Sequence, residues 1–327
     1  MGEFDIIREV FAPLTAGAPG AFNLIDDVAL LEQQNLVVTK DLMVAGVHFL
    51  PKDPLDLVAR KLIRANLSDL AAKGAKPLGY FLGCVWPANV KREAIELFAQ
   101  GLREDQETYR ISLFGGDTTA HATKTGPLTL SATFFGTPPK QGLTPRGGAN
   151  LGDDLYVSGT IGDAGLGLAA LKKEFKFTTV DKASLATRYH LPEPRLSLGA
   201  ALAGLATAAI DVSDGLIADA GHIANASGLR AAIDAVAIPR SPAAGTWIAA
   251  QDNRWRALAA LSGFGDDYEI LFAAPPSMRR SVTVAAKASR TEVTRIGSLT
   301  RGAGVGLLDE RGAEIKTSST GFDHFKR

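Results

Sequence analysis

Carboxylates beside hydroxyl and glycine residues are the part of this sequence whose types and spacing could do chemistry. Asp211 and Asp214 flank Val212 and Ser213 directly after an apolar run, 206–210. Two carboxylates three residues apart are poorly suited to a core, because a charged group without a partner is costly to bury. They are well suited to a hard cation such as Mg²⁺, which prefers oxygen ligands. The pattern therefore indicates a cation site beside a phosphate group.

Four further acidic sites have similar surroundings, at the end of an apolar run or of a helix and next to Ser, Thr or Gly. They are Asp26-Asp27, Asp41, Asp69 and Asp117. Any one of them alone could be a helix cap or a turn carboxylate. Five together make a purely structural explanation much weaker, and the sequence has no Cys/His spacing typical of zinc.

A glycine-rich stretch, 115–119, follows the predicted strand 111–114. Glycines after a strand let the backbone approach a phosphate, and Thr118 and Thr119 add hydroxyl donors. We expect a phosphate-binding loop here, although a Gly-Gly-Asp turn is also common in structural loops. The Walker A pattern, the protein-kinase signatures and the Gly-x-Ser-x-Gly elbow are absent.

The elements that must hold these residues indicate a fold of mixed helices and strands. In the first half we predict a helix over 54–73 ending before Gly74, a strand over 78–85 and a helix over 91–109. In the second half we predict a strand over 154–158. A helix is predicted over 215–227 with Gly228 just past its end, and helical structure over 247–261.

Because strands and helices do not alternate strictly, we predict the α+β class with two domains. We place the first domain, which would bind ATP and Mg²⁺, at residues 1–137. The second domain, which would complete the active site, is placed at residues 138–327.

Composition limits the partners. The 327 residues carry 35 Lys+Arg and 35 Asp+Glu, and this zero net charge disfavours nucleic acid. No apolar run approaches the length of a membrane span, and no secretory signal is visible at the start, so we expect a cytoplasmic protein. The single Cys84 lies in an apolar run and is predicted to be buried, which fits a reducing compartment.

Taken alone, the residues predict a Mg²⁺-dependent enzyme that acts on phosphates and uses a nucleotide as co-substrate. Phosphoryl transfer needs positioning and charge neutralisation more than a covalent nucleophile, and none is evident. Two features stay open: His48 is either structural or a substrate contact. The run Asp266-Asp267-Tyr268-Glu269 is either a solvated turn or a polar wall of the site.

Several of these motifs match a known family in order and spacing, nearly from end to end. The sequence resembles the thiamine-monophosphate kinases, which belong to the superfamily of aminoimidazole ribonucleotide synthetase-like ATP-binding enzymes. The matching segments are 41–49, 66–72, 115–119, 211–216, the Asp-Tyr-Glu run ending at Glu269, and 321–325.

The resemblance implies transfer of the γ-phosphate of ATP to thiamine monophosphate by a homodimer, assisted by several Mg²⁺ ions. It implies a central catalytic role for Asp69. It implies metal ligands at Asp27, Thr39, Asp41, Asp69, Asp117, Asp211 and Asp214. It implies ATP contacts at Tyr109, Gly116, Arg146 and Ser213. It implies thiamine monophosphate contacts at His48, Asp266 and Phe322.

These implied roles are chemically consistent. Carboxylates cannot approach two anionic phosphate groups without cations between them. Arg146 could bind phosphate in bidentate fashion, and the ring of Phe322 could stack on the cationic thiazolium. No general base is needed, because the acceptor phosphate is already ionised at neutral pH.

The sequence departs from the family pattern in places. Asn23-Leu24-Ile25 stands where Gly-Ile-Gly is usual, and Lys40 stands where a small hydroxyl residue usually precedes the Asp, which would put a cation beside the metals. Asp266 replaces a Glu, and Phe322 replaces a ring with a hydroxyl or an indole. Two alternatives remain: a superfamily member with another acceptor, such as a cyclo-ligase or a selenophosphate-type synthetase, or a nucleotide-binding homologue that has lost catalysis. The synthetase is disfavoured because the N-terminus lacks a reactive Cys.

Overall fold

The computed structural model describes residues 7–15 and 36–317. Within them the chain divides into two units, one formed by residues 7–15, 36–70 and 76–138 and the other by residues 71–75 and 139–317. No helix in the described ranges is both long and apolar enough to cross a bilayer. Short helical turns at Ile7–Phe11 and Ala12–Thr15 precede the first strand.

The first unit contains a four-stranded sheet. Its strands are β1 (Val37–Val44), β2 (Lys76–Trp86), β3 (Ser112–Ala120) and β4 (Thr129–Thr137), in the order β1-β4-β2-β3. β4 is antiparallel to β1 and β2, whereas β2 and β3 are parallel. The sheet is therefore mixed, as expected for the α+β class.

One face of this sheet is covered. On β2 and β4 alternate side chains are buried, and the rings of Tyr80 and Phe134 stack with centroids 4.8 Å apart. Two helices belong to this unit's sequence, α1 (Leu55–Ala72) and α2 (Arg92–Tyr109). α2 packs on the covered face, where its Phe98 meets Trp86 edge-on at 5.5 Å. Cys84 lies on this face and is buried, as predicted.

The other face of the sheet is open. Phe81, Phe114 and Phe135 are half-buried there and contact one another, with ring centroids 5.9–6.3 Å apart. On β1 the neighbouring Val38 and Leu42 are 55% and 52% exposed. Exposed apolar side chains grouped on one face of a sheet in this way mark an interaction site more often than a free surface.

The glycine-rich stretch 115–119 is strand rather than loop, so the predicted loop conformation was wrong. β3 continues through Gly116 and Asp117, which pair in register with Leu82 and Gly83 of β2. Gly116 is required by this pairing, because a Cβ there would lie 1.9 Å from the carbonyl oxygen of Leu82. Sequence reasoning missed this because a neighbouring strand, not local turn preference, decides the conformation.

The second unit contains a six-stranded sheet in the order β10-β7-β9-β5-β8-β6. The strands are β5 (Asp154–Ser158), β6 (Ala208–Asp211), β7 (Arg230–Asp234), β8 (Ile270–Ala274), β9 (Val293–Thr300) and β10 (Gly304–Leu308). All neighbouring pairs are antiparallel except β7 and β10. β5, β6 and β8 are buried along their whole length.

Seven helices, all within the described residues, cover this sheet. They are α3 (Asp163–Leu171), α4 (Thr179–His190), α5 (Leu196–Leu202), α6 (Leu216–Ser227), α7 (Pro242–Ala249), α8 (Arg254–Ser262) and α9 (Arg279–Ser289). A short turn of helix, Pro276–Met278, leads into α9.

Two helix predictions had different outcomes. The predicted end of α6 is confirmed, because Gly228 adopts the left-handed conformation at φ 66° directly after it. The helical structure predicted over 247–261 is wrong for residues 250–253, since α7 and α8 are separate helices. The side chain of Asn253 begins α8 by accepting hydrogen bonds from the N–H groups of Trp255 and Arg256.

Candidate functional site

The strand β1 and the helix α1 bring three of the predicted ligands together in the first unit. Alternation along β1 directs Thr39 and Asp41 toward the covered face, opposite Phe134 and Ala132 of β4. The hydroxyl of Thr39 donates a hydrogen bond of 2.5 Å to Oδ2 of Asp69, near the end of α1. The three side chains form an oxygen-rich cluster, which we call the β1–α1 cluster.

The electrostatics of the β1–α1 cluster favour a cation. Burial, together with the smaller effect of the negative charge of Asp69, raises the pKa of Asp41 from 3.8 to about 7. Two carboxylates in one poorly solvated place disfavour each other's ionised form. A divalent cation between them would remove that repulsion, and hydroxyl and carboxylate oxygens are its preferred donors.

Lys40 does not enter this cluster. It lies on the open face of the sheet, where its Nζ donates hydrogen bonds to Ser131 Oγ at 2.5 Å and Thr133 Oγ1 at 3.4 Å. The expectation that it would place a cation beside the metals is therefore wrong. The period of two along a strand puts Lys40 and Asp41 on opposite faces, so the sequence already contained the answer.

His48 lies in the tight turn that follows β1, and its ring is oriented by the backbone. The N–H of Val44 donates to Nδ1 of His48 at 3.0 Å, so the ring proton of the neutral imidazole is on Nε2. The buried Lys61, 2% exposed, donates to the carbonyl oxygen of His48 at 3.2 Å. Lys61 therefore ties the turn to α1, a role the sequence analysis missed.

Tyr109, the last residue of α2, is packed against a guanidinium group. The Cζ atom of Arg64 lies 5.5 Å from the centroid of the Tyr109 ring. Arg64 is itself held by the buried Asp105 through two hydrogen bonds of 2.7 and 2.9 Å, and Arg60 donates a third at 3.0 Å. A charged residue among the apolar positions of α1 was the available signal for Arg64.

Gly116 and Asp117 lie on β3, which is separated from β1 by two strands, β4 and β2. Asp117 is exposed, and alternation directs it away from its buried neighbour Thr118. Three strand spacings correspond to roughly 14 Å along the sheet. The described contacts do not bring Asp117 to the β1–α1 cluster.

In the second unit, the turn between β6 and α6 brings together Asp211, Ser213 and Asp214. Asp211 ends β6 in register with Ile270 of β8 and is 6% exposed. Ser213 and Asp214 follow it and are partly exposed. Gly215 begins α6 with φ 122°, a conformation that strongly favours glycine. We call residues 213–215 the β6–α6 turn.

Asp266 lies beside this turn, because its N–H donates a hydrogen bond of 2.8 Å to the carbonyl oxygen of Ser213. The two neighbouring acids are buried instead of facing solvent. Asp267 accepts from the N–H groups of Gly162 and Ala164 at the start of α3, at 2.6 and 3.3 Å. The solvated-turn interpretation of this run is therefore wrong, and only Asp266 of its acids is partly exposed.

Glu269 anchors the strand β8 through a buried ion-pair network. Arg195 donates to both of its carboxylate oxygens at 2.7 Å, and Arg188 donates to one of them at 2.8 Å. Burial alone would raise the pKa of Glu269, but the two guanidinium groups outweigh it and hold that pKa below its usual value. The arrangement indicates a structural role.

Arg146 lies in the segment beside the outer edge of β6. The carbonyl oxygen of its neighbour Pro145 accepts a hydrogen bond of 2.9 Å from the N–H of Ala209. Arg146 itself is exposed. Ala209 is two residues before Asp211 on β6. The backbone of Arg146 therefore lies beside the strand that ends in the predicted ligand Asp211.

Two residues absent from the predicted set lie next to Asp214. Asp214, Asp219 and His222 each offer a ligand atom, and these atoms all lie within 4.8 Å of one another. Burial raises the pKa of Asp219 to about 8, and the charge of Asp214 contributes to that increase. The signal in the sequence was an acidic residue four positions after the glycine that begins α6.

The predicted ligand Asp27 and the predicted substrate contact Phe322 lie outside the described residues. Every other residue of the predicted set is described. Those in the first unit are Thr39, Asp41, His48, Asp69, Tyr109, Gly116 and Asp117. Those in the second unit are Arg146, Asp211, Ser213, Asp214 and Asp266.

Comparison with known families covers most of the chain. Residues 25–137 match the AIR synthase related protein N-terminal domain, and residues 150–310 match the AIR synthase related protein C-terminal domain. The α+β prediction is thereby confirmed. E. coli HypE, a hydrogenase maturation protein 20% identical, shares this fold at a TM-score of 0.78.

Proteins with higher sequence identity show to which family within this superfamily the chain belongs. The thiamine-monophosphate kinase of Caulobacter vibrioides is 47% identical over 325 residues, covering 98% of this chain and 90% of the relative. The crystal structure of thiamine-monophosphate kinase from Stenotrophomonas maltophilia is 38% identical and covers 89% of this chain and 90% of its own, with a TM-score of 0.78. The structure of AaThiL complexed with AMPPCP and TMP is 29% identical, covering 99% and 97%, with a TM-score of 0.77. The chain belongs to the thiamine-monophosphate kinase family of AIR synthase related proteins.

Proposed function

We propose that this chain transfers the γ-phosphoryl group of ATP to the phosphate of thiamine monophosphate, giving thiamine diphosphate and ADP. The observation that carries the proposal is similarity of up to 47% identity, along nearly the whole length, to thiamine-monophosphate kinases. A relative of this family has been solved with AMPPCP and TMP together, which supports a site for both substrates.

The donor atoms fit Mg²⁺ as the assisting metal. In the first unit Thr39, Asp41 and Asp69 offer hydroxyl and carboxylate oxygens. Burial and the nearby charge of Asp69 raise the pKa of Asp41, and a cation would offset both effects. In the second unit Asp211 and Asp214 offer further carboxylates. We propose Asp27 and Asp117 as additional ligands, and the distance of Asp117 along the sheet supports more than one ion. When bound, Mg²⁺ would neutralise phosphate charge and align the two phosphate groups.

The remaining roles belong to side chains of the chain itself. His48 would donate a hydrogen bond from its Nε2–H group to the thiamine monophosphate, since its Nδ1 accepts from the N–H of Val44. Tyr109 would contact ATP with its ring supported by Arg64. Arg146 and Ser213 would bind phosphate oxygens, and Gly116 would lie along the nucleotide.

Asp266 would face the thiamine monophosphate beside the β6–α6 turn. Phe322 would stack on the thiazolium ring. No residue is required to remove a proton, because the acceptor phosphate is ionised at neutral pH.

Two features of the chain support further parts of the proposal. The open face of the first sheet, with its phenylalanine cluster and exposed Val38 and Leu42, supports a homodimer in which a second copy covers this face. The single cysteine, buried and unpaired with another cysteine, is consistent with a reducing compartment, and we propose the cytoplasm.

An ADP-release assay across candidate acceptors tests the function. Purified protein with ATP and Mg²⁺ should form ADP only when thiamine monophosphate is added, and chelation of Mg²⁺ should abolish the reaction. If thiamine monophosphate does not stimulate ADP formation, the proposal is wrong. ADP formation with a different phosphorylated acceptor would favour another superfamily chemistry. Calorimetric binding of both ligands without turnover would favour the inactive homologue.

A further inference from the structure

Asp219 is a buried carboxylate that no role described so far explains. It lies in the first turn of α6 and is 1% exposed. Its Oδ2 accepts hydrogen bonds from the N–H groups of Asp214 at 3.2 Å and Gly215 at 3.1 Å. Its own N–H donates to the carbonyl oxygen of Gly215 at 3.0 Å. Side chain and backbone of Asp219 therefore hold the same turn from one side.

The opposite side of the β6–α6 turn is also fixed. The N–H of Asp266 binds the carbonyl oxygen of Ser213. A Cβ at Gly265 would lie 2.4 Å from that same oxygen, and a Cβ at Gly215 would lie 2.8 Å from the carbonyl oxygen of Gly263. The turn is thus in close backbone contact with residues 263–266 on one side and hydrogen-bonded to Asp219 on the other.

A carboxylate is an expensive way to satisfy these two N–H groups. Removing it from water costs free energy, whereas donors at a helix N-terminus can usually be satisfied by water or by a short capping side chain. Asp219 also orients the two N–H groups. One of its oxygen atoms accepts from two consecutive N–H groups, which restricts the conformation of the turn.

We propose that Asp219 is a positioning residue for phosphate chemistry at the β6–α6 turn. It fixes the backbone from which the Ser213 hydroxyl and the Asp214 carboxylate project, so that both are preorganised for the nucleotide and its cation. The inference rests on the proposed function of Ser213 and Asp214. Asp219 acts through their backbone and does not itself contact the phosphates.

Substitutions at Asp219 and a matched control test the proposal. Asp219→Ala removes the acceptor. Asp219→Asn keeps a side chain of similar shape with one acceptor oxygen. Asp163 is a suitable control in the same unit: it is also buried at the start of a helix. It accepts from the hydroxyls of Thr160 at 2.6 Å and Ser241 at 2.5 Å, and its side chain makes none of the described hydrogen bonds to residues 213–215.

The measurements are the dissociation constant for AMPPCP in the presence of Mg²⁺, by calorimetry, and hydrogen exchange of the Asp214 and Gly215 amides, by NMR. Melting temperature reports the loss of stability common to all variants. We expect Asp219→Ala to weaken AMPPCP binding at least about tenfold, equivalent to about 1.4 kcal/mol. The two amides should exchange faster. Asp219→Asn should fall between Asp219→Ala and the unmodified protein, because it keeps one acceptor oxygen but replaces the other oxygen with an amide NH2 group that cannot accept.

Asp163→Ala should lower the melting temperature while leaving AMPPCP affinity within about twofold and the two amides protected. Unchanged affinity and exchange in a folded Asp219→Ala protein would overturn the proposal. An equal loss of affinity in Asp163→Ala would overturn it too. If Asp219→Ala does not fold, Asp219→Glu decides, because it moves the acceptor oxygens by one methylene: wild-type affinity and exchange refute positioning, and a loss in both supports it. These readouts do not use thiamine monophosphate, so a failure of the proposed function appears separately in the ADP-release assay.

Discussion

The N–H of Asp266 donates a hydrogen bond of 2.8 Å to the carbonyl oxygen of Ser213. The two residues are 53 positions apart in the sequence, and they carry different proposed roles, one toward the thiamine monophosphate and one toward ATP. Their backbone contact means that movement of one segment must move the other. The second unit therefore couples the residues proposed for the two substrates through backbone hydrogen bonds, since the N–H of Tyr268 also donates to the carbonyl oxygen of Val212 at 2.8 Å.

Asp69→Asn should abolish turnover with little effect on folding. Asn keeps an oxygen for the Thr39 hydroxyl but removes the negative charge from the β1–α1 cluster. We expect kcat to fall at least about 100-fold, the scale of losing a metal-site contact, with a melting temperature close to wild type. The pKa of Asp41 should fall, since the charge of Asp69 helps to raise it, and NMR titration of the Asp41 carboxyl would measure this. Near-normal turnover would remove Asp69 from the site, and Glu96→Gln on the exposed side of α2 is the control.

Lys40→Ser should leave catalysis almost unchanged. The ammonium group of Lys40 lies on the open face of the sheet with Ser131 and Thr133, away from Asp41. Steady-state kinetics should give kcat and the KM for ATP within about twofold of wild type, as for other substitutions outside a site. A tenfold change in the KM for Mg²⁺-ATP would show that Lys40 acts on the metals after all.

Gly116→Ala should destabilise the first unit. The added methyl group would lie 1.9 Å from the carbonyl oxygen of Leu82, so β2 and β3 would have to separate. We expect a loss of about 3 kcal/mol in the free energy of unfolding, as for overpacked cores, measured by urea denaturation. Gly83→Ala is the matched control, because its Cβ would meet Ser131 at an ordinary 3.5 Å. Equal stability of the two variants would contradict this account.

Leu42→Glu should weaken the proposed homodimer. Leu42 is 52% exposed on the open face, and a carboxylate there would be desolvated by a second copy. Sedimentation velocity should show a dimer dissociation constant at least about 100-fold higher, equivalent to about 2.7 kcal/mol. Val284→Glu, at a residue 60% exposed on α9, should leave the assembly unchanged. A wild-type protein that sediments as a monomer would refute the dimer directly.

The stability of the protein should fall as pH rises from about 4 to about 8, in part through Asp267. Burial raises the pKa of Asp267 from 3.8 to about 8, so the folded protein keeps a proton that the unfolded chain releases. Stability then decreases with pH across this window, by at most about 1.4 kcal/mol per pH unit for one proton. Asp267→Asn should flatten the slope of unfolding free energy between pH 5 and 8 in urea titrations. Parallel curves for the two proteins would contradict the assignment.

Local signals in the sequence predicted local structure well. Gly228 at the end of α6 and the single buried Cys84 follow from backbone conformation and apolar runs, and both are confirmed. The hydrogen bond between Thr39 and Asp69, and the ring contact between Arg64 and Tyr109, join residues 30 and 45 positions apart. Such contacts depend on which strands and helices become neighbours, and no local pattern encodes that choice.

The stretch 115–119 shows a local pattern that predicted the wrong conformation. Its Gly-Gly-Asp-Thr-Thr composition is typical of a turn, yet pairing with β2 makes it strand, and the close approach to Leu82 explains the glycine. Here a partner 34 positions earlier decides the conformation, since Gly116 pairs with Leu82. Local preference was outweighed by tertiary pairing.

Side chains alternate between the two faces of the sheet along the eight residues of β1, so neighbouring positions are under selection for different properties. Substitutions at positions 39 and 41 would be seen in cation binding, whereas those at 38, 40 and 42 would be seen in self-association and solubility. A deep mutational scan of this strand should therefore show fitness effects with a period of two, and the two phases should respond to different conditions. Low magnesium would increase the fitness effects of substitutions at the odd positions, and low protein abundance would increase those at the even positions. One short strand would thus carry two independently adjustable traits, which lets drift at Lys40 proceed without affecting Asp41.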